Sequence, residues 1–182
     1  MLTSAEQLPN ELGLQTLFAG LFVPKVQVRR ADIHLSASRP FLLANYADGN
    51  GQTEAIAICD VNLATILGAA LSLKPIGSVD DDLSTRQISQ EMLGNAREVF
   101  NIASKLFQTG PEQRHFLQDV VHWKEVDDRL MFAIRGRLPK RTFAVEVDRY
   151  GTGKVTYVAL IEDFQDPEKS NRAGRKRSSS SR

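Results

Sequence analysis

One stretch of the chain, from Ser84 to Phe107, combines carboxylates and carboxamides at helical spacing. A carboxylate can hold a cation on another molecule, and a carboxamide has donor and acceptor atoms, so it orients a water without acting as a base. This composition is typical of a surface that docks onto a partner and positions a water. At 100° per residue, the outward face of the predicted helix carries Glu91, Gly94, Asn95, Glu98, Asn101 and Lys105.

Glu98 and Asn101 are three residues apart, so on a helix their side chains emerge next to each other. Gly94 lies one turn before Glu98 on the same face, although a glycine inside a helix costs about 1 kcal/mol relative to alanine. The glycine therefore indicates close approach of a partner's backbone. Positioning an attacking water is a recurring requirement of phosphoryl transfer, where a glutamine commonly does it.

The segment Glu98-Val-Phe-Asn101, followed by Ile-Ala-Ser-Lys-Leu-Phe, resembles the Glu-x-x-Asn helix of the CheC/CheX/FliY chemotaxis phosphatases. The resemblance implies hydrolysis of the aspartyl-phosphate of a response-regulator receiver domain. In that family the glutamate pairs with a receiver lysine and the asparagine positions the water, so Glu98 and Asn101 are the expected catalytic residues. No cofactor of its own is expected, because the Mg²⁺ belongs to the receiver. The expected partner-binding residues are Glu91, Gly94, Asn95 and Lys105.

The match to the family pattern is incomplete. Gly94 stands where the family has Asp or Ser, and the proline expected after the asparagine is absent near Lys124. Only one predicted helix carries the motif, as in CheX rather than CheC. Two interpretations therefore remain open: an aspartyl-phosphate phosphatase, or a non-catalytic binding or dimerisation module of the same fold in bacterial signalling.

Hydrophobic periodicity predicts two further helices that would support the motif helix. The first covers about Ala5 to Leu21 with Pro9 in its first turn, and the second runs from an Asp60 cap to about Leu73, with its apolar residues on one stripe. A capping box of Ser84 and Gln87 is predicted to open the motif helix, and Gly110-Pro111 to close it. The segment 74–82 between the second helix and the motif helix is predicted to be a loop.

Runs of alternating or β-branched residues predict strands, with a hairpin turn at Asp48–Gly51 and another turn at Tyr150–Gly153. The lysine that follows this second turn does not complete a phosphate-binding loop. Helices clustered between groups of strands favour an α+β fold, a mostly antiparallel sheet with two long helices packed on one face, as in CheX and CheC. The predicted strands are Val26–Leu35, Phe41–Tyr46, Thr53–Cys59, Val120–Trp123, Arg129–Ile134, Lys140–Val147 and Lys154–Ile161.

Composition and charge predict one domain, residues 1–164, and a disordered basic tail rich in serine and arginine, residues 165–182. Six basic and two acidic residues give the tail a charge of +4, and because the chain carries +1, the domain carries −3. A mildly acidic domain is a poor match for a phosphate backbone, so nucleic acid is not an expected partner. The basic cluster of the tail is the one feature of the sequence that favours nucleic-acid binding.

The remaining composition indicates a cytoplasmic protein. A single cysteine, Cys59, excludes an internal disulfide, and no run of 18 apolar residues predicts a membrane span. The three histidines lack metal-ligand spacing, so no metal site is expected. The expected partner is a response-regulator receiver domain, and a homodimer is left open.

Overall fold

The computed structural model describes residues 4–32, 40–107, 114–126, 136 and 138–160. The first strand ends at Arg30, so the predicted strand is wrong at residues 31 and 32. Several predictions fall on other residues: the last three residues of the first strand with His34, the helix end at Gly110-Pro111, the strand at Arg129–Ile134, and the basic tail with its boundary after residue 164. These predictions lie outside the described residues.

Six antiparallel strands form one sheet. Its order is β1-β5-β6-β3-β2-β4, so that β1 and β4 are its two edges in the described part of the chain. This arrangement confirms the predicted α+β class and the antiparallel sheet. The strands are β1 Val26–Arg30, β2 Phe41–Ala47, β3 Thr53–Asp60, β4 Phe116–His122, β5 Lys140–Val147 and β6 Gly151–Ala159.

Four α-helices accompany the sheet within the described residues, and short 3-10 turns extend or connect them. The helices are α1 Glu11–Leu21, α2 Val61–Leu71, α3 Asp80–Thr85 and α4 Gln90–Ala103. The 3-10 turns are Ala5–Gln7, Ile76–Ser78, Ser104–Leu106 and Trp123–Glu125.

The two faces of the sheet are buried in different ways. Side chains alternate along each strand, so Leu42 and Tyr46 join the main core with the helices, while Leu43 lies on the opposite face. That opposite face forms a smaller apolar cluster of Phe41, Leu43, Ile56, Ile58, Val158 and Leu160. The helices α1, α2 and α4 all contribute to the main core.

Helix α2 is the central element of the helical layer. A single apolar stripe was predicted for it, but every residue from Leu63 to Ala70 is buried, because α2 packs against β6 and α4 together. A Cβ atom on Gly68 would lie 2.5 Å from the carbonyl oxygen of Met92, so the backbones of α2 and α4 are in direct contact. The hydroxyl of Tyr46 also donates to the carbonyl of Phe100 at 3.1 Å. Helix α4 is thereby fixed from two sides.

The motif helix begins later than predicted. Ser84 lies in α3, where its hydroxyl donates to the carbonyl of Asp81 at 3.1 Å instead of capping α4. The three aspartates at 80–82 form the first turn of α3, where their carboxylates interact favourably with the positive end of the helix dipole. The end of the predicted loop 74–82 is therefore helical. Arg86 takes a left-handed conformation, with φ of 54°, and ends α3. Helix α4 starts at Gln90. The residue before it, Ser89, donates its backbone N–H to a carboxylate oxygen of Asp82 at 2.9 Å.

The first helix is also shorter than predicted. Pro9 lies outside it, because Asn10 is the N-cap and its side-chain oxygen accepts from the N–H of Gly13 at 2.8 Å. Asp60 occupies the N-cap position of α2 without a capping hydrogen bond. Its carboxylate instead accepts from the backbone N–H of Lys154 at 2.8 Å, which joins the start of α2 to β6.

The hairpins show where turn chemistry was and was not predictable. The predicted turn after β2 is present, with Gly51 at φ of 80° and the Asp48 carboxylate accepting from two backbone N–H groups. The second predicted turn is displaced, because residues 148–150 form it and Gly151 already pairs with Val147 in the sheet. In the last third of the chain, β4 begins at Phe116, earlier than predicted, and Trp123 lies in the 3-10 turn that follows.

Candidate functional site

Helix α4 separates into a buried side and an exposed side. Met92, Ala96, Val99, Phe100 and Ala103 face the core. Most of the predicted site residues face outward: Glu91, Gly94, Glu98, Asn101 and Lys105 are exposed and Asn95 is half-buried. Lys105 lies just beyond α4, in the 3-10 turn that extends it.

The structure brings Glu98 and Asn101 together on one exposed face, one helical turn apart. In the part of the chain that the structure describes, neither side chain forms a hydrogen bond or an ion pair. The backbone carbonyl of Asn101 accepts from the backbone N–H of Ser104 and from its hydroxyl, the latter at 2.6 Å. Both polar groups are therefore available to another molecule.

Gly94 leaves an open space beside this pair. A Cβ atom at this position would meet no heavy atom within 4 Å, which contrasts with Gly68, where the neighbouring helix excludes any side chain. Packing inside the described residues therefore does not require a glycine at position 94. The exposed surface has a dent where the backbone of α4 is directly accessible.

Among the described residues, Glu91 is the one predicted site residue that forms an ion pair. Its carboxylate lies 2.5 Å from the ammonium group of Lys74, in the segment that follows α2. The side chains of Glu91 and Lys74 remain 58% and 35% exposed, so the pair is in contact with solvent and contributes little to stability. A partner that binds the Glu91 carboxylate would share or replace this contact with Lys74.

The structure also shows candidate residues that the sequence interpretation missed. Arg97 is exposed on α4 one turn before Asn101, and a fuller helical wheel would have included it. Beside α4, a half-open cleft of about 570 Å³ separates the α3–α4 connection from the end of β4. Residues as distant in sequence as Arg86 and Lys124 line it, so no local pattern predicts it.

The other titratable groups of interest are buried in the core. His115 Nε2 lies 2.9 Å from a carboxylate oxygen of Glu54, and both side chains are 5% exposed or less. Burial raises the pKa of the Cys59 thiol well above its ordinary value, which identifies the cysteine as structural, not nucleophilic. Among the described residues, no group of three or more His, Cys, Asp or Glu is arranged to hold a metal ion.

Comparison with solved structures identifies the fold of this chain. No family model matches the sequence, and no curated protein matches it. Among solved structures, FliY from Thermotoga maritima superposes with a TM-score of 0.55 at 9% identity, covering 89% of this chain and 88% of that chain. The chain has the CheC/CheX/FliY fold. The fold suggested by the Glu-x-x-Asn helix is thus confirmed.

A chain in the crystal structure of the FliM-SpeE complex from H. pylori superposes on the CheC/CheX/FliY fold of this protein with a TM-score of 0.57. The identity is 8%, and the superposition covers 92% of this chain and 89% of that chain. The two superpositions show a shared fold, and identities of 8% and 9% carry no information about residue roles. Of the helices in the described residues, none is long and apolar enough to cross a bilayer.

Proposed function

We propose that the chain binds a phosphorylated response-regulator receiver domain through the exposed face of α4 and hydrolyses its aspartyl-phosphate. The observation that carries the proposal is the pair Glu98 and Asn101. Both are exposed on one face and unpartnered within the described residues, next to the open position at Gly94. Within the described residues, this face therefore leaves a carboxylate and a carboxamide without an intramolecular partner.

Each group has a definite role in this proposal. The Glu98 carboxylate pairs with a cationic side chain of the receiver and sets the position of the two proteins. The Asn101 carboxamide oxygen accepts a hydrogen bond from a water and holds it in line with the phosphorus atom. Gly94 admits the receiver backbone, and the rim of the contact is formed by Glu91, Asn95 and Lys105.

The proposed reaction needs positioning more than proton transfer. The oxygen of the held water attacks phosphorus, the bond between phosphorus and the aspartyl oxygen breaks, and the aspartate leaves as a carboxylate. The proton of the water passes to the phosphate product or to solvent. Phosphoryl transfer has little covalent chemistry for a protein to supply, so an amide that only orients the water is sufficient. The receiver supplies the Mg²⁺ that neutralises the phosphoryl oxygens.

The test follows dephosphorylation of a panel of phosphorylated receivers with Mg²⁺ in the presence of the chain. We expect Asn101→Ala to lower the turnover rate by on the order of 100-fold with little effect on binding, because the water loses its orientation. We expect Glu98→Lys to raise the half-saturating receiver concentration by about tenfold or more, because a cation then faces a cation.

Two matched controls change the same residue types at exposed positions away from α4. Glu146→Lys, on β5, reverses the same charge, and Asn50→Ala, in the turn after β2, removes the same amide. Both controls should keep full activity. If the activity survives both α4 substitutions, or is lost equally in the controls, Glu98 and Asn101 do not carry the reaction.

A second candidate is a non-catalytic binding or dimerisation module on the same surface. The observations that favour it are Gly94, which stands where the family has Asp or Ser, and the ion pair that engages Glu91 within the chain. This alternative predicts saturable binding of a receiver or of a second copy, with an unchanged phosphate half-life. Measuring binding and dephosphorylation on the same samples separates the two candidates.

A further inference from the structure

The cleft beside α4 lies outside the proposed catalytic face. The segment joining α3 to α4 forms one wall, and the end of β4 with the 3-10 turn Trp123–Glu125 forms the other. Its volume of about 570 Å³ lies in the range of ligand-binding clefts. We infer that this cleft binds an extended acidic segment of a partner protein, with one apolar side chain seated between carboxylates.

The floor of the cleft supplies an apolar surface. Ile88 and Leu93 line it from α4 and the preceding connection, and Val120 lines it from β4. All three side chains are only half-buried, so they have apolar surface left to cover. Removing apolar surface from water is favourable, and the free energy gained is roughly proportional to the area removed. A single leucine-sized side chain is the natural occupant of this floor.

The edges of the cleft are mainly basic. Arg86 and Lys124 line it, whereas Glu125 is its one lining carboxylate among the described residues. Two permanent cations therefore line the cleft against one carboxylate. This local excess of positive charge stands out because residues 1–164 carry a net charge of −3.

In the described ranges, no carboxylate lies within ion-pair distance of Arg86 or Lys124, the two cations that line the cleft. The ammonium group of Lys124 lies 5.8 Å from the centre of the Trp123 ring, an attraction that leaves its hydrogen-bond donors available. Arg86 has a left-handed backbone, a conformation for which glycine or asparagine is the usual choice. An arginine at this position suggests a use for its side chain.

The arrangement favours a peptide segment over a small anion. The cations come from two elements on the two walls of the cleft: Arg86 from the α3–α4 connection and Lys124 from the 3-10 turn after β4. Separated cations suit several carboxylates spaced along one chain, whereas a small anion is best held by donors that converge on one point. Charge complementarity of this kind also steers an acidic partner to the cleft.

The experiment uses the only tryptophan of the chain, Trp123, which lines the cleft. The probes are short labelled peptides in which one Leu, Ile, Phe or Tyr is flanked on each side by two glutamates. Anisotropy of the label gives the affinity, and Trp123 fluorescence shows whether the peptide is in the cleft. We expect saturable binding that weakens as salt is added.

The variants Arg86→Glu and Lys124→Glu should each weaken the peptide by about tenfold or more, because they place a carboxylate opposite carboxylates. They change two different elements, so a folding defect in one leaves the other informative. The matched control is Arg30→Glu, the same charge reversal on the exposed end of β1 at the opposite edge of the sheet, which should bind normally.

Four results would overturn the inference. The first is no binding by any acidic peptide up to about 1 mM, and the second is a loss of affinity in Arg30→Glu equal to that in the cleft variants. The third is a Trp123 fluorescence change with citrate equal to that with the peptides, and the fourth is tighter binding of a single-stranded oligonucleotide than of the peptides. The citrate result would assign the cleft to small anions, and the oligonucleotide result to nucleic acid. The assay contains no receiver and no phosphate, so its outcome is independent of the proposed phosphatase activity.

Discussion

Glu54 and His115 show how a polar pair can be part of the core of this protein. Glu54 falls where the pairing of β2 with β3 shifts register, between Ala55, which pairs with Tyr46, and Thr53, which pairs with Ala47. Such a bulge can turn a side chain away from its expected face. The imidazole of His115 packs against the ring of Phe107, which follows the 3-10 extension of α4, with ring centres 5.1 Å apart. The pair therefore links β3, the start of β4 and the end of the motif helix.

At the residue scale, we predict that Glu54→Ala lowers the free energy of unfolding by about 3 kcal/mol, because it leaves a buried imidazole without its carboxylate. Urea denaturation measures the change. The control Glu146→Ala, at an exposed position, should stay within about 0.5 kcal/mol of the parent. The double variant Glu54→Leu with His115→Leu should regain part of the loss. A double variant less stable than Glu54→Ala would show that the pair is not the cause.

At the scale of elements, two glycines on neighbouring helices have opposite surroundings. Gly68 permits the close contact of α2 with α4, whereas Gly94 faces open space. The first is required by packing inside the chain, and the second has no such requirement within the described residues. The cost of the glycine at position 94 is therefore consistent with a use outside the chain.

We predict that Gly94→Ala raises the free energy of unfolding by about 0.5–1 kcal/mol, because it removes a flexible residue from an exposed helix without creating a clash. The comparison variant Gly68→Ala should instead destabilise by about 1–3 kcal/mol, because its methyl group would collide with a backbone carbonyl. Thermal and urea unfolding of both variants measure the difference. Equal effects at the two positions would contradict the packing of α4 on α2.

The same elements show how far sequence patterns reach. The antiparallel sheet and the outward face of α4 were predictable, because strand alternation and helical periodicity depend on residues close in sequence. The start of α4 was not predictable from the sequence. Ser84, the predicted cap of α4, belongs to α3, and Arg86 adopts a left-handed conformation that its residue type does not indicate. The complete burial of α2 depends on which elements cover it, and the cleft depends on residues brought together by the fold. The roles of Glu98 and Asn101 stay predictions.

At the scale of the whole molecule, three acidic groups with raised pKa values lie in the main core. Burial raises the pKa of Tyr46, Cys59 and Tyr157 above their ordinary values. Above the ordinary pKa, the unfolded chain loses a proton that the folded chain retains, so the folded state becomes progressively less favoured as the pH rises. The contribution of each group is fully present below its ordinary pKa.

We predict that the free energy of unfolding declines above about pH 8.5, where an unfolded cysteine ionises, and more steeply above about pH 10, where unfolded tyrosines ionise. The slope reaches about 1.4 kcal/mol per pH unit for each group. Urea denaturation between about pH 7 and pH 11 measures it. Cys59→Ala should remove the decline that begins near pH 8.5 and keep the later one. A variant with the same early slope would show that Cys59 is not its source.

The contact between α2 and α4 has a consequence for how this protein can change over time. Because α4 is anchored through its inner side, its outer residues contribute little to holding the fold together. These outer residues can therefore be substituted without loss of the fold. A few substitutions could convert a surface that hydrolyses a phosphate into one that only binds a partner, or the reverse. Proteins with this scaffold are therefore expected to keep one shape while differing in chemistry, and the outer side of this helix is where that divergence should be sought.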